Sequence, residues 1–200
     1  MSSITNTDLS DRIAERVRSL RAERGYSLDV LASRSGVSRS AISMIERSET
    51  SPTAVVLERL ATGLDVSLAS LFDPPATSGP SPVSRRSEQS SWRDPQSGYV
   101  RRNVSPAGRE SPIQIVEVEF PPGATISYET ADRDVVIHQQ VWVLSGAIEV
   151  TLRSDTYSLE QGDCLSMVIN QPITFKNPSA KKARYAVVIV TNPLRTKRTS

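Results

Sequence analysis

Residues 27–47 constrain this chain more tightly than any other part of it. A short helical pattern carrying Leu28, Leu31 and Ala32 runs up to Gly36, which breaks it. Ser38 then offers a side-chain oxygen where a new helix needs an N-cap. Ala41, Ile42 and Ile45 follow at helical spacing and suit a core-facing side. Arg39, Ser40, Ser43 and Met44 are left on the opposite side, close to the helix start. Two short helices joined by a glycine turn, the second with polar residues at its exposed N-terminal end, make a helix-turn-helix. In that motif the second helix enters the DNA major groove and its first residues meet base edges. The same pattern also suits two packed amphipathic helices that touch no nucleic acid.

The flanks complete a small all-α unit. Leu9, Ile13, Val17 and Leu20 form one stripe on a first helix. Asp8 and Asp11 near its start and Arg18, Arg21 and Arg24 near its end complement the helix dipole, and Gly25 ends it. Ser27 caps the second helix. Ser51 and Pro52 open a fourth, striped by Ala54, Val55, Leu57, Leu60 and Ala61 and stopped by Gly63. Ser67 caps a last short helix with Leu68, Leu71 and Phe72. Five helices are expected within residues 1–73.

With these parts in order, residues 9–72 resemble the lambda-repressor-like (XRE family) DNA-binding domain. The resemblance is carried by residues 17–25, Leu31-Ala32, Ser35-Gly36-Val37-Ser38, residues 42–47, Ser51-Pro52-Thr53 and residues 68–72. It implies that Arg39, Ser40, Ser43 and Met44 face the bases of a double-stranded operator and that Ser38 and Arg47 face phosphates. Leu28 stands where many relatives carry Gln, so one contact near the DNA backbone is missing. Glu46 is expected to bond within the domain, because a carboxylate aimed at phosphate would be repelled. Arg39 is the expected base reader, since its fork can donate two hydrogen bonds to guanine. Charge neither supports nor excludes DNA: residues 1–73 hold nine Arg and no Lys against ten Asp or Glu, and affinity follows local rather than summed charge.

Residues 74–96 are rich in Pro and Ser and poor in large apolar groups, which predicts a semi-extended linker. In residues 97–192 helical periodicity disappears. Short β-branched runs at 99–104, 113–120, 125–128, 135–144, 147–152, 164–169 and 183–190 alternate with Pro121-Pro122-Gly123, Ser145-Gly146, Gln161-Gly162-Asp163 and Asn177-Pro178. Such spacing predicts a β-sandwich or small barrel. The glycine and turn skeleton resembles the cupin family, a double-stranded β-helix or jelly roll. Gly162, Val168, Asn170, Ile173 and Asn177 fall on the positions of its second motif, and Asn170 suits the left-handed backbone of a motif glycine. The fold class is thus α + β in two domains, a helix-turn-helix bundle and an all-β cupin.

The chemistry of metal-binding cupins, three His and a Glu, does not carry over. Gln139 takes the Glu position and Ile173 that of the later His, while the two His of the first motif would fall near Arg133 and Val135. His138 is the only histidine. One His and a neutral Gln do not make a transition-metal site, so no metal, no cofactor and no catalytic residue are expected. Asp132 and Asp134 are expected to be solvated. Alternation puts Gln139, Val141 and Val143 on one face, toward the lumen, and His138, Gln140 and Trp142 on the other. Gln139, with Tyr128, Arg133 and Arg102 at the mouth, is the expected contact set for a small-molecule effector.

The single cysteine, Cys164, excludes an internal disulfide. No stretch approaches the ~20 apolar residues of a membrane span, and the N-terminus does not read as a signal peptide. A cytoplasmic location is expected, and residues 193–200 read as a polar basic tail. The expected function is a homodimeric, sequence-specific transcriptional regulator whose cupin binds an effector and modulates DNA binding. The alternatives are a metal-free cupin enzyme with a DNA-binding appendage, or a cupin used only for dimerisation.

Overall fold

The computed structural model describes residues 6–72, 81–108, 111–129 and 135–193. The expectations placed on Asp132, Arg133, Asp134 and the tail from 194 onward lie outside the described residues, as does the side chain of Leu9. Four α-helices come first: α1 (Asn6–Glu23), α2 (Leu28–Ser35), α3 (Arg39–Glu46) and α4 (Ala54–Gly63). Ile13, Val17, Leu31, Ile42, Leu57, Leu60 and Leu71 are fully buried between them. Ser27 Oγ accepts from the Val30 amide and Ser38 Oγ from the Ala41 amide, each at 3.2 Å. Gly36 ends α2 in the left-handed conformation, φ 66°.

Two local expectations need correction. The cap of α4 is Thr53, whose Oγ1 accepts from the Val56 amide, so Ser51 and Pro52 stand outside the helix. The fifth helix is a 3-10 turn, Leu68–Phe72, started by the Ser70 amide donating to Ser67 Oγ. Five residues are too few for a stable α-helix, and the tighter turn suits so short a piece.

Ten strands follow. A six-stranded sheet runs β1 (Ser91–Arg93), β2 (Val100–Asn103), β3 (Ile113–Phe120), β10 (Ala183–Pro193), β5 (Val135–Ser145) and β8 (Cys164–Val168) in spatial order. A four-stranded sheet runs β4 (Thr125–Tyr128), β9 (Ile173–Lys176), β6 (Ala147–Leu152) and β7 (Asp155–Glu160). Every pairing is antiparallel. Strand β1 falls inside the span expected to be linker. Its Trp92 is buried and meets the Phe72 ring at 5.7 Å, which draws the segment onto the sheet. Asn170 is not among the described residues with positive φ, so its left-handed role is not realised. Asn177 instead locks its turn: buried, it donates to the carbonyls of Phe120, Pro121 and Lys181.

Helices and sheets dock. The buried Asp94 carboxylate accepts from the Ala54 amide at the start of α4 (2.8 Å). Ser67 Oγ donates to Gln114 Oε1 (2.6 Å), and Arg59 on α4 pairs with Glu129 beyond β4 (2.7 Å).

Candidate functional site

The first candidate surface is α3. Ile42 and Ile45 fix one side of it in the core. Arg21 on α1 fixes it further by donating to both carboxylate oxygens of Glu46, at 2.7 and 2.8 Å. Glu46 therefore acts inside the domain. What remains outward is Ser38, Arg39, Ser40, Met44 and Arg47, with Ser43 partly covered. Arg39 Nε lies 3.3 Å from Asp29 in an open pair, the two side chains 64% and 75% exposed. Arg47 pairs with Glu49 at 2.9 Å. Ser38 Oγ also lies 3.2 Å from Ser40 Oγ. A short, well-anchored helix thus presents hydroxyls and two guanidiniums whose present partners are solvent-exposed carboxylates that cost little to leave.

The second is a cavity of about 70 Å³ between the two sheets, closed on one side by the helical domain. The sheets contribute Val118, Ile137, Ile189, Ile173 and Phe175; Glu58 of α4, Leu68 of the 3-10 turn and Ser67 just before it contribute the helical side of the wall. An aromatic series leads into it from the helices: Phe72, Trp92, Tyr99, Phe120 and Tyr185, with successive centroids 5.7 to 6.3 Å apart. Three of the four contacts are near-perpendicular, the favoured edge-to-face arrangement. Burial raises the pKa of Tyr99, Tyr128 and Tyr185 above that of a free phenol, so all three phenols are neutral at pH 7.

Of the expected effector contacts, Gln139 and Tyr128 line this cavity, and Arg133 lies outside the described residues. Arg102 does not line it. The pleat turns Arg102 to the outer face, where it donates to Glu117 and Gln89. The lumen receives its neighbour Arg101, 6% exposed, with Phe72 across its guanidinium at 5.5 Å. Sequence reasoning missed Arg101 by one residue. The signal that could have found it is its shared phase with Tyr99, two positions earlier. His138 and Trp142 stand exposed on the outer face.

The cavity does not fit the metal associated with cupins. At the two ligand positions within it stand a neutral amide, Gln139, and an alkyl group, Ile173. Among the described residues no three His, Cys, Asp or Glu side chains converge.

The helix-turn-helix family model matches residues 17–71 and the cupin domain model residues 116–190. The chain is 25% identical over 183 residues to the HTH-type transcriptional regulator SutR of Escherichia coli, covering 91% of this chain and 96% of that protein. Residues 17–71 thus carry an XRE-type helix-turn-helix domain and residues 116–190 a cupin domain, the make-up of a transcriptional regulator. The similarity to SinR of Bacillus subtilis is higher but local, 44% over 62 residues, or 30% of this chain and 56% of SinR. A solved HTH_3 family transcriptional regulator from Vibrio cholerae matches 93% of this chain and 98% of its own, with 25% identity and a TM-score of 0.73. The regulator's two halves therefore recur together, in one order, in proteins of nearly its own length. Among its described residues no helix is long and apolar enough to cross a membrane.

Proposed function

We propose that this regulator reads an operator through α3 and that occupancy of the cupin cavity by a small molecule alters that reading. One observation carries the coupling: Glu58, Ser67 and Leu68 of the helical domain form part of the wall of a cavity otherwise built by the β-domain. A ligand held there touches both domains, so its binding energy acts directly on how the head is held. In this reading Arg39, Ser40, Ser43 and Met44 face bases, and Ser38 and Arg47 face phosphates. The regulator is cytoplasmic and works as a homodimer on paired half-sites, in keeping with the two-fold logic of such operators. The outer face of the six-stranded sheet, with Ile113, Ile115 and Trp142 exposed, is the surface offered to the second copy. The cupin acts as a sensor and not as an enzyme, since Cys164 and His138 lie exposed, away from the lumen.

The test is fluorescence anisotropy with duplexes selected from a random library. The full chain is expected to prefer its selected duplex over random competitor, and a molecule taken up by the cavity is expected to change that affinity by roughly 5–150-fold. No preference for any duplex would overturn the DNA reading; preference without any ligand response would leave the cupin as a dimerisation module.

A further inference from the structure

The chemical class of the effector follows from Arg101. It is the one cation on the cavity wall among the described residues, it is more than nine-tenths buried, and its Nε and Nη2 have no hydrogen-bond partner there. A buried guanidinium with idle donors is costly, and native folds hold few such groups. The Phe72 ring, 5.5 Å from the guanidinium carbon, gives the cation an aromatic contact. That contact leaves Nε and Nη2 without an acceptor. Nε and Nη2 are the two donors of the side-on edge, whose parallel N–H bonds match the two oxygens of a carboxylate.

The rest of the cavity limits what such an anion can carry. Val118, Ile137, Ile189 and Phe175 offer apolar contact, and about 70 Å³ holds roughly five to seven water-sized groups at ~10–15 Å³ each. Glu58, the carboxylate on the α4 wall, is engaged within the protein and bears the wrong charge for an anion, which places the ligand head at the Arg101 end. We propose that Arg101 anchors a small organic monocarboxylate, its head held side-on by Nε and Nη2 and its short apolar tail lying between the sheets. The inference rests on the cavity being the effector site, and it names the chemistry of that effector.

The experiment is calorimetric titration of the full chain with propanoate, butanoate and isovalerate, each beside its amide, at millimolar concentration. At least one acid is expected to bind about tenfold or more tightly than its amide, because only the acid makes charge-assisted bonds. Arg101→Met is expected to lose that acid by about tenfold or more, and Glu58→Gln to bind it more tightly. The acid–amide comparison on the unaltered chain needs no variant, so it stands even if Arg101→Met folds poorly. Amides binding as well as acids, or Arg101→Met retaining full affinity for the acid, would overturn the carboxylate assignment and leave the effector reading intact. Uptake of none of the acids overturns it too, and the anisotropy experiment then judges the effector reading separately.

Discussion

The Asp94 carboxylate, carried by the β-domain, accepts a 2.8 Å hydrogen bond from the backbone amide of Ala54, the first residue of α4. An α-helix leaves its first amides without internal partners, and here the other domain supplies one. The second oxygen of Asp94 accepts from the Ser97 amide at 2.7 Å, so one buried side chain ties a turn of the sheet to the helix that walls the cavity. Asp94→Ala is expected to lower stability by about 1.5–3 kcal/mol, the range for hydrogen bonds to a charged group, and to weaken the ligand's effect on DNA affinity. Asp94→Asn keeps an acceptor and should recover part of both. Urea unfolding and ligand-dependent anisotropy check this; full coupling in Asp94→Ala would refute the clamp.

The Arg39–Asp29 pair predicts opposite effects of two neighbouring changes. Both side chains are mostly exposed, so the pair contributes at most ~1 kcal/mol and yields readily to a guanine edge. Arg39→Ala is expected to relax preference at one base position by about 1–3 kcal/mol. Asp29→Asn, which removes a competing carboxylate, should raise affinity without changing which base is preferred. Arg47→Ala should instead weaken all duplexes alike and reduce the salt slope by about one. Competition against a library of operator variants separates these outcomes, and an unchanged base preference in Arg39→Ala would remove it from base recognition.

Much of this arrangement is legible in the sequence because it rests on strong local signals. Ser27 and Ser38 cap where an N-cap oxygen is needed, Gly36 takes the left-handed turn, and the alternation of β5 separates Gln139 from His138. The rest depends on long-range pairing. Strand β2 is four residues long and holds two adjacent arginines. Which one faces inward is decided by its register with β3, where Arg101 stands opposite Val118 and Arg102 opposite Glu117. Strand β7 exposes all but Leu159, so no apolar alternation announces it. The docking of α4 over the cavity has no signature of its own, because Glu58 reads like any polar residue of an amphipathic helix.

The tyrosines of the cavity predict how stability depends on pH. Burial is the main cause that raises the pKa of Tyr99, Tyr128 and Tyr185 in the folded chain, whereas an unfolded tyrosine ionises near pH ~10. Above that pH the unfolded chain holds fewer protons than the folded one, so stability falls as pH rises. Below it the contribution is fully present. The melting temperature is expected to fall progressively as pH rises above about 10, and Tyr185→Phe, which keeps the ring, should show a shallower fall. Equal slopes for the two proteins would contradict buried, neutral phenols.

The approach of α2 and α4 gives the last prediction. A Cβ built on Gly63 would lie 2.9 Å from Ser35 Cβ, 3.0 Å from its amide nitrogen and 3.1 Å from its Cα. Two of these atoms are backbone, so no side-chain rotation relieves the clash, and the helices must part. Alanine is the better helix former by ~1 kcal/mol, but overpacking of this kind costs about 1–3 kcal/mol. Gly63→Ala is therefore expected to destabilise the regulator by about 1 kcal/mol or more. Ser35 immediately precedes the Gly36 turn that aims α3, and its hydroxyl accepts from the Val37 amide at 3.2 Å. Displacing it tilts the reading helix, so DNA affinity should fall at temperatures where the variant is still folded. Thermal unfolding followed by anisotropy at a temperature below both transitions tests this, and a variant as stable as the natural chain with unchanged affinity would show that α2 and α4 have room to spare.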